Sequence, residues 1–285
     1  MSDAKLSRKT GRTILQRHGL GIGLAIVGMF TCGAAIAQET WNIHPALQDR
    51  WTLQLGAYYP TVSTNASLNG TGGRVNAAIS FEDDLNLADR KAMPTFLGSV
   101  RLGQSWKIEA EYFSLNRSTS HAVNRTLNWG DDTYTVGTVV NGEFNSDIYR
   151  LSAGYSFVKD NQKEVGVALG LHVTDFETAL SSSGIAGRRN DALAPLPTIG
   201  VYGAYALTPK WLLSGRLDYF SLNYGDYDGS LSNFNAGVDY RFTRHFGAGL
   251  AYRYIKYDVD ITKSNYNGNI NYKFSGPMFY AVASF

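Results

Sequence analysis

Trp106-Lys107-Ile108-Glu109-Ala110-Glu111-Tyr112 alternates residue by residue, with Trp106, Ile108, Ala110 and Tyr112 on one face and Lys107, Glu109 and Glu111 on the other. Successive side chains of a strand point to opposite faces, so the segment predicts a strand with one apolar and one charged face. A soluble sandwich alternates in the same way, and the make-up of each face must decide between the two. Working outward, the same period recurs in Trp51/Leu53/Leu55/Ala57/Tyr59, Tyr149/Leu151/Ala153/Tyr155/Phe157, Trp211/Leu213/Gly215/Leu217/Tyr219 and Phe279/Ala281/Ala283/Phe285. Aromatic rings sit at the ends of these faces and aliphatic residues in the middle. Amphipathic rings prefer the headgroup level of a bilayer and its centre takes plain hydrocarbon, so the pattern predicts lipid-facing strands with two aromatic girdles. The opposite faces carry Gly, Ser, Asn, Thr and charges, which a barrel places in its lumen.

Connections of two lengths support the barrel. Gly103–Ser105, Val158–Lys163, Thr208–Lys210 and Thr243–His245 read as tight turns, and Tyr59–Pro94, Asn116–Glu143, Thr178–Leu196, Asn223–Gly229 and Ile261–Asn267 as loops on the other side. The fold class expected is all-β: a transmembrane antiparallel up-and-down barrel of about ten strands, with short periplasmic turns and longer extracellular loops. The last strand is expected from about Asn267 to Phe285 with a bulge at Gly276-Pro277. Tyr112-Phe-Ser-Leu-Asn116 recurs as Tyr219-Phe-Ser-Leu-Asn223, each after a Pro-Thr, as in a chain of repeated hairpins.

Composition agrees. Of 285 residues 13% are aromatic and only 18% charged, which excludes a disordered chain, and a single cysteine excludes a disulfide framework or a Cys-based metal site. Lys5, Arg8, Lys9, Arg12 and Arg17 precede the apolar run Leu20–Phe30 and the small-residue end Ala35-Ile36-Ala37, which reads as a secretory signal peptide over 1–37. Removing it takes away five bases and one acid, Asp3, and turns a formal charge of +2 into −2, so no electrostatic footing for nucleic acid remains. Residues 38–50 are expected to form a periplasmic N-terminal segment and 51–285 the barrel.

The signal peptide, the girdled strands and the ending Phe279-Tyr-Ala-Val-Ala-Ser-Phe285 resemble bacterial outer-membrane β-barrel proteins. That resemblance implies the outer membrane of a Gram-negative bacterium. It also implies an assembly signal at Phe279, Ala281, Ala283 and Phe285, read by the barrel assembly machinery after delivery by periplasmic chaperones. Ile79-Ser-Phe-Glu-Asp-Asp-Leu-Asn-Leu87 further resembles a proteobacterial barrel family of about ten strands without an assigned activity, which implies fold and location and leaves mechanism open.

Counting up from the tight turns places Glu109, Glu111, Arg150, His172, Arg216, Asp218 and Arg253 at one height on the lumen face, three arginines against three carboxylates. Ten strands leave a narrow interior, so these groups are expected to pair and close it, with Glu111 and Arg150 as neighbours on adjacent strands. The leading functional expectation is a plugged barrel with a structural or surface-interaction role, monomeric, without cofactor, metal or catalytic residues. A narrow pore for small solutes is the second reading, and a hydrolase acting on protein or lipid A through His172, with Asp175 or Glu177 nearby in sequence, is the third. The paired aspartates of the omptin proteases and the His-x-Ser element of lipid A deacylases have no counterpart in this sequence. Glu82-Asp83-Asp84 and Asp226/Asp228 are candidate Ca²⁺ ligands, and Arg117, Arg125, Arg188 and Arg189 candidate partners for lipopolysaccharide phosphates.

Overall fold

A computed structural model describes residues 41–70, 76–224, 227–263 and 266–285, so the expected signal peptide and its boundary lie outside the described residues. One helical turn, α1 (Pro45–Gln48), precedes β1 (Trp51–Tyr58), β2 (Thr61–Leu68), β3 (Ile79–Ser80), β4 (Met93–Leu102), β5 (Trp106–Ala122), β6 (Leu127–Trp129) and β7 (Asp132–Tyr134). Then follow β8 (Val139–Lys159), β9 (Lys163–Ser182), β10 (Ile185–Ala206), β11 (Trp211–Tyr224), β12 (Tyr227–Arg241), β13 (Phe246–Lys263) and β14 (Tyr266–Ser284). Ten strands close a ring in the order β1-β4-β5-β8-β9-β10-β11-β12-β13-β14, with β14 pairing back onto β1. The seam is fastened where the Trp51 and Phe285 amides each donate to the other residue's carbonyl at 2.9 Å. Closure leaves no exposed edge at this level, the condition for a sheet in hydrocarbon.

Two boundaries differ from the sequence reading. Tyr59 does not begin a loop: β2 resumes the line of β1 along β14, with Tyr58 opposite Met278 and Thr61 opposite Ser275. Both strands advance three residues across the break, so Gly276-Pro277 is not a bulge. The interruption belongs to Tyr59-Pro60, and Gly276 is needed there because a Cβ would collide with the Tyr59 carbonyl. Secondly, the polar stretches at 116–143, 178–196 and 261–267 are largely strand, β9 and β10 meeting at the two residues Ser183-Gly184. At the opposite end Gly103, with φ +65°, makes the β4–β5 turn possible.

Extended strands explain a change of polarity partway up the wall. From Trp211 to Tyr219 the outward residues are apolar and exposed. Eight residues of strand tilted as in a membrane barrel rise about 20 Å, most of a hydrocarbon core. Above Tyr254 on β13 the outward positions become Lys256 and Asp258, while the inward ones become Ile255 and Tyr257, fully buried. The lower barrel is thus apolar outside and polar inside, and the upper barrel the reverse. An all-polar lumen, expected from the sequence, is corrected here. Above mid-height Phe113, Phe144, Ile148, Phe176, Tyr257, Tyr272 and Phe274 fill the bore with packed rings, and the chain from Ile79 to Leu87 folds in on top of them. Once strands leave the bilayer they meet water outside, and the ordinary hydrophobic drive inward returns.

Candidate functional site

The polar lower bore holds the chemistry. Alternation along β5, β8, β11 and β13 turns Glu109, Glu111, Arg150, Arg216, Asp218 and Arg253 inward, and the register sets Glu111 directly opposite Arg150. Arg150 Nε donates to Glu111 Oε2 at 2.8 Å and its Nη1 reaches Glu109 Oε2 at 3.4 Å. Arg253 clamps Glu111 from across the bore, through Nη1 to Oε1 and Nη2 to Oε2, the latter at 3.0 Å. Arg216 bridges Glu109 and Asp218, with Nε 2.8 Å from Asp218 Oδ2. Asn233 completes the circuit, donating from Nδ2 to Asp218 at 2.7 Å and accepting from Arg253 Nε at 3.1 Å. Each carboxylate therefore meets at least one guanidinium, as burial of ionised groups requires. The Arg253 guanidinium also lies 4.7 Å over the Phe113 ring, joining the charge layer to the aromatic core above it.

His172 sits beside this layer, opposite Arg150 on β8 and Leu196 on β10, with no exposed surface. Neither ring nitrogen has a hydrogen-bond partner. Asp175 points out of the barrel and is exposed, and Glu177 is engaged by Arg189 and Asn145, so neither acid orients the imidazole. General-base chemistry at His172 lacks both its acid and access to solvent.

A second ionic level, nearer the tight turns, escaped the sequence reading. Arg101 forms a two-pronged pair with Glu164 at 2.8 Å, Glu164 accepts from Ser156 Oγ, and the Tyr280 hydroxyl donates to Asp239. Part of their signal was present: Arg101, Ser156 and Glu164 stand on lumen-facing positions one or two residues above the tight turns. Between the two levels lies a cavity of about 150 Å³, lined among others by Arg50, Arg101, Lys107, Glu109 and Tyr202.

Residues 41–49, expected only to precede the barrel, cork its lower mouth. Trp41 Nε1 donates to the Pro209 carbonyl at 2.8 Å, Leu47 packs on Ala206 and Leu212, Arg101 donates to the Ala46 carbonyl, and Asp49 pairs with Arg244. His44 is fully buried and caps α1, accepting from the Ala46 amide. Burial, with Arg241 and Arg244 nearby, pushes its pKa down to about 3. A folded-state pKa below the ordinary 6.5 means that docking takes up no proton at neutral pH. The segment is therefore held best above pH 6.5 and loosens as the pH falls from 6.5 toward 3. Hydrogen exchange of residues 41–49, corrected for intrinsic rates, is expected to show less protection at pH 5 than at pH 7.5, a difference that His44→Gln should abolish.

The acidic loop run is engaged internally. Glu82 pairs with Arg117 and accepts from the Thr64 amide at 2.7 Å, and Asp84 pairs with Arg125 Nε at 2.6 Å and accepts from the Ser80 amide at 2.8 Å. These bonds pin the inward loop, so the Ca²⁺ reading of Glu82 and Asp84 and the phosphate reading of Arg117 and Arg125 give way to an ion-paired clasp. Arg189 pairs with Glu143 and Glu177, while Asp226 and the Arg188 side chain lie outside the described residues. Among the described residues no group of His, Cys, Asp and Glu has the arrangement of a metal site.

Among solved structures the chain is similar to the outer membrane protease OmpT from Escherichia coli. Identity is 12% and the TM-score 0.53, over 87% of this chain and 99% of that one. It is also similar to the translocator domain of the autotransporter NalP from Neisseria meningitidis, at 12% identity and a TM-score of 0.41 over 84% of this chain and 91% of that one. A third is the outer membrane protein OprG from Pseudomonas aeruginosa, at 10% identity and a TM-score of 0.39 over 83% and 97%. No protein-family profile and no curated protein matches the sequence. At such identities the first likeness shows the fold alone: a closed, antiparallel ten-stranded barrel of the outer-membrane kind.

Proposed function

We propose that the protein is an integral outer-membrane barrel of a Gram-negative bacterium that acts as a structural and surface-interaction element, with its bore closed to solutes. One observation carries this reading: the bore is blocked at successive heights, by the cork at 41–49, the Arg101–Glu164 level, the Glu109–Arg253 level, the aromatic core and the inward loop. A conduit needs a continuous aqueous path or a ring of one sign, and here arginines and carboxylates alternate and rings pack above them. What the wall presents to the outside is then the part free to act. In the same reading the chain works as a monomer among outer-membrane lipids and lipopolysaccharide, and reaches the membrane through periplasmic chaperones and the barrel assembly machinery, which read Phe279, Ala281, Ala283 and Phe285. The experiment is density-gradient fractionation with electrophoresis of unboiled and boiled samples. The protein is expected in the outer-membrane fraction with a heat-modifiable mobility, starting near Gln38. Recovery as a soluble periplasmic protein would contradict the reading.

A further inference from the structure

The cavity between the two ionic levels lies where charge is unevenly shared. Glu109 on its wall accepts from three cations, Lys107 at 3.1 Å, Arg150 at 3.4 Å and Arg216. Arg150 and Arg216 have further carboxylates above, in Glu111 and Asp218, and Arg101 has Glu164. Lys107 has only its share of Glu109 and the face of the Tyr202 ring, 4.2 Å from its Nζ. Arg50 lines the same cavity, is exposed, and joins no ion pair among the described residues. The other carboxylates of the wall are taken. Asp49 pairs with Arg244, and Asp239 accepts from Tyr280 and is offset by the buried Arg241 two residues along the same inward row.

Two buried polar atoms of this wall have no hydrogen-bond partner: Arg101 Nε, a donor, and Asn235 Oδ1, an acceptor. Buried polar atoms are satisfied as a rule, so an occupant that fits accepts from the first and donates to the second. About 150 Å³ is the size of an engineered cavity that holds benzene, hence room for about six heavy atoms. Access is cationic as well. A recess at the lower mouth is lined by Gln48, Arg50, Arg101, Leu102 and Gly103, without an acid, and Arg50 and Arg101 border both this recess and the inner cavity. Such an entrance draws anions inward.

We infer that the cavity binds a small oxyanion bearing a hydroxyl, of the class of hydrogen phosphate, which enters from the tight-turn side past Arg50. Its charge compensates Lys107, its oxygens accept from Lys107 and Arg101 Nε, and its hydroxyl satisfies Asn235 Oδ1. Sulfate brings the charge without the proton, and a neutral solute brings neither charge nor compensation. Ala46 and Asp49 of the cork line the cavity, so the bound ion and the docked cork stabilise each other. The bore stays closed, because the Glu111 level and the aromatic core stand above.

The test is equilibrium dialysis of the refolded chain in detergent against radiolabelled inorganic phosphate at neutral pH, with hydrogen exchange of residues 41–49 in parallel. Saturable binding of a single phosphate per chain is expected, about tenfold or more tighter than sulfate, with slower exchange at 41–49 than in chloride of equal ionic strength. Lys107→Gln is expected to weaken binding by about tenfold or more, and Lys256→Gln on the outer wall to leave it unchanged. Retained heat modifiability verifies that both fold. Should Lys107→Gln not fold, Arg50→Gln, exposed and outside the ion pairs, carries the test, with phosphate uptake at low salt slowed several-fold. Absence of saturable binding, binding unchanged in Lys107→Gln and uptake unchanged in Arg50→Gln, or sulfate held as firmly as phosphate would overturn the inference. Phosphate bound with unaltered exchange at 41–49 would place the ion elsewhere on the chain and overturn it equally.

Discussion

Glu111→Ala is expected to lower the unfolding free energy of the barrel by about 3–5 kcal/mol, the usual cost of breaking a buried ion pair from one side. Glu111 is 3% exposed and is the shared acceptor of Arg150 and Arg253, so its removal leaves two guanidiniums facing each other in the bore. Arg150 retains Glu109 at 3.4 Å, and Arg253 retains the Asn233 oxygen and the Phe113 ring but no carboxylate. The exposed pair Lys256–Asp258 supplies the control, and Asp258→Ala should change stability by less than about 1 kcal/mol. Urea unfolding of the refolded chain in detergent measures both. Equal effects at the two sites would mean that the lower bore is wet and screened.

Deletion of Phe285 is expected to reduce the folded protein in the outer membrane to a small fraction of the normal level. Phe285 exchanges both backbone bonds with Trp51 at the base of the seam, and its ring stacks on His245 at 5.2 Å and meets Phe246 edge-on. Without it the first closing pair of β1 and β14 is lost, and an unclosed edge leaves amides and carbonyls unpaired in hydrocarbon. Phe285→Tyr keeps the backbone and the ring and should assemble nearly normally. Quantitative blotting of outer membranes decides it; undiminished levels of the deletion would show that closure does not depend on the terminal pair.

The lower barrel was legible in the sequence because one rule governs it, apolar toward lipid and polar toward the bore, and a period of two carries that rule undiluted. That rule picked out Trp106–Tyr112, the ten strands, and the inward positions of Glu109, Glu111, Arg150, His172, Arg216, Asp218 and Arg253. Above the outer girdle the rule inverts, so Phe144, Phe176 and Tyr272 stood on the face already assigned as polar, and strands with charged outward residues read as loops. Noticing that inward-parity rings replace inward-parity charges at a fixed height would have revealed the upper core. The cork was illegible for another reason: Trp41, His44 and Leu47 have no period, and their place depends on contacts with Pro209, Ala206 and Leu212, distant in the chain. The repeat Tyr-Phe-Ser-Leu-Asn acquires a physical sense, since Tyr112 and Tyr219 both face outward while Phe113 and Phe220 turn inward from the two hairpins.

Planar-bilayer recording of the purified, refolded chain tests most directly whether the bore is closed. Charge pairing between the arginines at 150, 216 and 253 and their carboxylates, with packed rings above, predicts no stable single-channel steps in molar salt, and Glu111→Gln should add none because the aromatic core still blocks the way. Reproducible steps in the unaltered protein, with an ion selectivity that shifts on Glu111→Gln or Arg216→Ala, would contradict a closed bore and make the protein a pore.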